Sequence, residues 1–185
     1  MLKMKLLTLA CALGILACGA CFLPPSQRNS NPSLPPTQID LKGIRTIGVR
    51  VTNNSEWRHI DASALAHAIE VGINGYTKET GAKAFALTAT GQEDATIEIA
   101  IQSENAILEA KPAPPGTSRW SYKVTISATL TKHDGTVVWQ ETNLPYRSRP
   151  VSAANPVDVW NKPFFGDWVR YGIGSNLVFH MFNGH

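Results

Sequence analysis

A chain of 185 residues with 43% apolar and 17% charged residues is large and hydrophobic enough for one domain with a real core, which excludes a wholly disordered protein. The 17 Lys and Arg exceed the 14 Asp and Glu by three. Setting aside Lys3 and Lys5, in an expected export segment, leaves 15 against 14, so no basic excess argues for nucleic acid as a partner. The cysteines Cys11, Cys18 and Cys21 all precede residue 22, so the expected folded part has no disulfide, thiol nucleophile or Cys metal site.

Residues 1–17 have the form of a secretory signal peptide. Lys3 and Lys5 supply positive charge, and Leu6 to Leu16 is an apolar run ending in small residues. The run is shorter than the roughly 20 residues a membrane-spanning helix needs. Ile15-Leu16-Ala17-Cys18 is similar to a bacterial lipobox, in which the Cys becomes the lipid-carrying first mature residue. Cys21, after Gly19-Ala20, is the second candidate for lipidation. An ordinary cleaved signal with incidental cysteines is the other reading. Residues 18–39 then form a tether. Pro24, Pro25, Pro32, Pro35 and Pro36 lie among Ser, Asn and Gln, and proline favours extended, donor-poor backbone.

Residues 40–185 are the expected domain. Ile44 to Thr52 alternates as a first strand, with Ile47, Val49 and Val51 on one side. Asn53-Asn54-Ser55 reads as a turn. Asp61 is placed to cap a helix over Ala62 to Thr80, with Leu65, Ile69, Ile73 and Tyr76 as its buried stripe and Gly81 as its left-handed end. Gly72 and Gly75 weaken this helix or let it approach the sheet closely. Lys83 to Thr88 reads as a short extended piece.

A three-stranded meander follows. Ala95, Ile97, Ile99 and Ile101 alternate with polar residues, and so do Trp120, Tyr122, Val124, Ile126, Ala128 and Leu130. His133-Asp134-Gly135-Thr136 is a tight turn into a strand at Val137, Val138 and Trp139. The connection 103–118 is long and Pro-rich, and the strands can extend into it as an arm with Glu109, Lys111 and Arg119 near its tip. Leu144 to Pro150 is extended. A second, broadly apolar helix is expected over Pro163 to Phe182, with Pro163 in its first turn. The fold class is α+β: a two-layer sandwich, with a mixed, mostly antiparallel sheet of about four strands and two helices on one face. Strand 44–52 should lie beside strand 95–102, joined through the first helix.

Catalytic and metal chemistry have no recognisable signature. His59, His67, His133, His180 and His185 are scattered, and HExxH, a calcium loop, a phosphate loop and GxSxG are all missing from the sequence. No catalytic residue, metal ligand or cofactor is therefore assigned, and a binding protein rather than an enzyme is expected. Lys111, Arg119, Arg147 and Arg149 are the candidates for binding anionic groups such as phosphates. The aromatic residues of the last segment serve either as core or as a surface facing a partner.

The order of lipobox, Pro-rich spacer, strand, amphipathic helix, meander and terminal helix resembles the LPS-assembly lipoprotein (LptE) family. Ile44 to Asn54 is similar to that family's opening strand and Asn turn, and Asp94-Ala95-Thr96-Ile97 to its entry into the second main strand. Val124 to Trp139 is similar to its long hairpin, and Asn143 to Arg147 to the segment before its last helix. The resemblance covers residues 44–182. Cys18-Gly19 is followed by Ala20 where the family commonly has Tyr. The resemblance implies an outer-membrane lipoprotein, anchored by its N-terminal lipid and facing the periplasm. Such a protein pairs with an LptD-type β-barrel and assists lipopolysaccharide transport by binding. A periplasmic lipoprotein that scaffolds or activates a peptidoglycan enzyme is the alternative, and an unrecognised small hydrolase a third.

Overall fold

The computed structural model describes residues 39–78, 81–86, 92–110 and 113–183. The expected signal segment, Cys18, Cys21, the Pro-rich stretch and Lys111 lie outside these residues. The described residues form β1 (Thr46–Asn53), α1 (Ala62–Tyr76), β2 (Lys83–Ala86), β3 (Ala95–Glu109), β4 (Ser118–Lys132), β5 (Val137–Arg147) and β6 (Val151–Ala153). A short 3-10 helix (Val157–Val159) and α2 (Phe165–Asn183) complete them.

The sheet runs β2-β1-β3-β4-β5, with β6 beside the start of β4. β1 is parallel to both β2 and β3, and the remaining pairs are antiparallel. The architecture is the expected α+β sandwich, with six strands where about four were anticipated, because β2 and β6 also pair. β1 and β3 are neighbours as expected. The route between them differs, because α1 leads first into β2 on the far side of β1.

Strand alternation sets the core. Ile97, Ile99 and Ile101 lie opposite Leu130, Ala128 and Ile126, and Ile126 lies opposite Leu144 on β5. All are buried on one face. Leu65, Ile69 and Ile73 of α1 and Val169, Ile173 and Leu177 of α2 complete the same core, so both helices cover that face. Each such side chain contributes about 1.5–3 kcal/mol on burial. The opposite face is polar. There Arg50 pairs with Glu98 at 2.9 Å, and Gln102 donates to Ser127 Oγ at 2.6 Å.

Local signals account for the ends. The Asp61 carboxylate accepts from Ala64 N at 2.7 Å, as an N-cap does. α1 stops at Tyr76, short of Thr80. There Thr77 Oγ1 lies 2.9 Å from Ile73 O and 2.8 Å from Ala82 O, which turns the chain towards β2. Tyr76 is not in the buried stripe. It is half exposed and stacks on Phe182 with ring centroids 5.2 Å apart. In the turn into β5, Gly135 has φ 87 and its N–H donates to Lys132 O at 2.9 Å. Before β3, the Asp94 carboxylate accepts from Arg45 N at 2.8 Å and from Thr46 N at 2.9 Å. These bonds hold its pKa below the usual carboxylate range.

Gly72 of α1 and Gly174 of α2 serve helix–helix contact rather than contact with the sheet. A Cβ at Gly72 would stand 3.1 Å from Val178 Cγ2, and one at Gly174 would stand 3.2 Å from Ala68 O. Ala68 meets Gly174, Gly72 meets Val178 and Tyr76 meets Phe182, so the helices run parallel. α2 begins later than expected. Phe164 has φ 61, a conformation costly for a bulky residue, so Pro163 and Phe164 precede the helix rather than forming its first turn.

Candidate functional site

The site is built on a bulge. β3 and β4 pair in register up to Ile101, and the pairing then shifts between Ile101 and Ser103. The shift turns Glu104 inwards onto the apolar face, where it is 3% exposed. Its carboxylate is surrounded by donors. Asn53 Nδ2 lies 2.6 Å from Oε1, and the Ser55 hydroxyl lies 2.7 Å from the same oxygen. Oε2 accepts from Tyr122 Oη at 2.6 Å, His59 N at 3.1 Å and Ile60 N at 3.3 Å. These bonds pin the loop between β1 and α1 over the sheet. Burial and then the bond to Glu104 push the Tyr122 hydroxyl above the ordinary phenol range.

Tyr122 is also the start of an aromatic cluster. Its ring meets Trp160 edge to face at 4.7 Å, Trp160 meets Phe165 at 5.5 Å, and His59 lies 5.5 Å from Trp160. This arrangement fixes Phe165 at the start of α2. Beside it opens a cleft of about 290 Å³, lined by Tyr146, Ser148, Arg149, Phe165 and Trp168. Tyr146 lies across Gly172, where a Cβ would stand 2.6 Å from its Cζ. Burial raises the Tyr146 pKa.

α2 presents apolar side chains on two sides. One side faces the core. On the other, Phe164 is 71% exposed, Trp168 64%, Tyr171 51% and Phe179 51%. Trp168, Tyr171 and Phe179, with the exposed Ser175 between the last two, follow helix periodicity and share the water-facing side of α2 as an interrupted stripe, and Phe164 stands just before the helix. The core reading of the terminal aromatic residues applies to Phe165, and the rings on the other side face water. The strained backbone of Phe164, the most exposed of these rings, lies at the end of the stripe nearest the cleft.

The expected basic residues are separated. Lys111 lies outside the described residues. Arg119 and Glu109 are register partners at the hairpin end, and Arg119 Nε is buried without a hydrogen-bond partner. Arg147 donates to Glu109 Oε1 at 2.6 Å and to Ser121 Oγ at 2.9 Å, so its charge is matched within the fold. Arg149 is exposed at the cleft, where no acidic side chain among the described residues engages it. A single cation therefore joins the aromatic surface, and the others lie elsewhere.

Glu104 and the stripe were the features that simple alternation missed. Gln102-Ser103-Glu104-Asn105 puts four polar residues in a row, which breaks the phase of Ile97, Ile99 and Ile101 before the apolar Ala106-Ile107-Leu108. Such a phase change marks a bulge. Among the described residues, no group of three or more His, Cys, Asp or Glu could hold a metal ion, and no helix is long and apolar enough to cross a membrane.

No family model matches the chain, and no curated protein gives a significant match. Solved structures with similarity include a minor lipoprotein from Acinetobacter baumannii, at 8% identity and TM-score 0.45, covering 75% of this chain and 90% of that one. Lipoprotein GNA1162 from Neisseria meningitidis is 13% identical at TM-score 0.38, covering 60% of this chain and 85% of the other. Uncharacterized lipoprotein B from Nitrosomonas europaea is 11% identical at TM-score 0.37, covering 75% and 83%. All three are bacterial lipoproteins; at these identities and scores, the likeness transfers no activity, partner or location to this chain.

Proposed function

We propose that this chain is a lipid-anchored envelope protein that acts by binding rather than catalysis. In this reading it faces the periplasm from the outer membrane, pairs with an LptD-type β-barrel and assists lipopolysaccharide transport and assembly. The observation that carries the reading is the water-facing stripe of Phe164, Trp168, Tyr171 and Phe179. Soluble domains rarely leave several large aromatic rings exposed along one side of a helix, and aromatic residues concentrate where partners dock. The lipobox-like Ile15 to Cys18 supports the anchor, and the sequence order supports the family resemblance. Both helices lie on one side of the sheet, so the stripe is free to meet a wall while the core stays closed.

The test is purification of the native full chain in mild detergent, with mass spectrometry of its partners and of its mature N-terminal peptide. A large outer-membrane barrel, a lipidated Cys18 or Cys21, and loss of the barrel on Phe179→Ala are the expected results. A chain that leaves native membranes without a barrel, or that keeps it in the stripe variants, overturns the reading. Retention of a peptidoglycan synthase instead would move the function to envelope-enzyme scaffolding.

A further inference from the structure

We infer that the cleft at the start of α2 is a binding site for a single-chain anionic amphiphile, one acyl chain with a carboxylate or phosphate head. Its lining divides into two parts. Tyr146, Phe165 and Trp168 supply aromatic walls, and Arg149 supplies the one charge. Arg149 is exposed and not matched by an acid within the described fold, unlike Arg147, which Glu109 engages. A guanidinium in this state takes a carboxylate or phosphate through paired N–H donors.

The rest of the wall argues against a peptide backbone as the ligand. Ser148 N donates to Tyr122 O at 2.8 Å, and Ser148 Oγ accepts from Tyr122 N at 2.8 Å and lies 3.1 Å from Arg149 O. These polar groups are therefore already engaged inside the protein. A ligand finds one cation and apolar rings, which are the two needs of an amphiphile. Size narrows the class further. About 290 Å³ falls just below the roughly 300–1,000 Å³ of drug-sized ligand sites, which suits one chain rather than a multiply acylated lipid. The floor is preorganised, because Phe165 is held against Trp160 and Tyr122, and Tyr122 is held by Glu104. This inference stands apart from the barrel partner, since it rests on the cleft and not on the length of the stripe.

The test is photo-crosslinking of the full chain in membranes with a diazirine-bearing dodecanoate, followed by peptide mapping. The expected adducts fall on the segments carrying Tyr146 to Arg149 and Phe165 to Trp168. Unlabelled dodecanoate or dodecyl phosphate should compete, the better of the two identifying the head group, and dodecanol should compete roughly tenfold less well. Arg149→Gln should remove the preference for a charged head, and Trp168→Ala should lower the yield, with the circular dichroism of both unchanged. Phe179→Ala, outside the cleft, should keep the labelling even where it loses the barrel. Adducts spread evenly along both helices, or equal competition by dodecanol in the unaltered chain, would overturn the inference. So would labelling that Arg149→Gln leaves unchanged.

Discussion

Replacing Glu104 by Leu should destabilise the domain by about 3–5 kcal/mol. The side chain is buried, and the donors around it include the fully enclosed Tyr122 hydroxyl and the Ile60 amide. Leu removes their acceptor, and each buried donor left without one costs about 1–3 kcal/mol. The Asn53 amide and the His59 N–H lie nearer solvent and recover part of their loss from water. The Ser55 hydroxyl keeps Asn53 Oδ1, 2.7 Å away, as an acceptor, so the sum rests on the two enclosed donors. Glu104→Gln keeps the shape but turns an NH2 towards donors on one side or the other, and should cost about 2–3 kcal/mol. The assay is urea unfolding at neutral pH, read as a midpoint shift at unchanged slope. Glu98→Gln, at the exposed pair with Arg50, is the control and should stay within about 0.5 kcal/mol. A loss below about 1 kcal/mol in both Glu104 variants would refute the view that this carboxylate organises the loop.

Gly172→Ala should cost about 1–3 kcal/mol, because its Cβ overlaps the Tyr146 ring; in thermal unfolding, the loss should be smaller when Tyr146→Leu is already present. The upward shift of Tyr122 means the fold holds the neutral phenol. That contribution is whole below about pH 10 and is lost as pH rises from there, and Tyr122→Phe should flatten this alkaline limb in a pH series of unfolding midpoints. Asp94 is shifted downwards, so its contribution is present above about pH 4 and is lost as pH falls through its folded value. Asp94→Asn should remove that acid dependence and speed hydrogen exchange at the Arg45 and Thr46 amides.

Features that depend on neighbours in sequence were legible from sequence. Alternation over Ala95 to Ile101 and over Trp120 to Leu130 gave the two long strands and their buried face, because side chains two apart share a face whatever the strand pairs with. Asp61 marked the start of α1, because a cap bonds within its own first turn. The family resemblance and the readings of residues 1–39 also came from sequence, in stretches that pattern alone describes. What depends on distant partners was decided by tertiary structure. Gly72 and Gly174 became contact points only when α1 met α2, and Leu144 to Arg147 became part of β5 only by pairing along β4. The basic residues Arg147 and Arg149 are two apart, yet Glu109 takes the first and the cleft the second, because regular pairing ends at Arg147 opposite Lys123 and one extra residue intervenes before Val151 pairs with Trp120. Whether an aromatic ring on α2 is core or surface depends on which side the sheet occupies, and helix periodicity alone carries no information about where the sheet lies. The buried Glu104 has the same origin: a carboxylate is tolerated there only because donors from β1, the following loop and β4 converge on it.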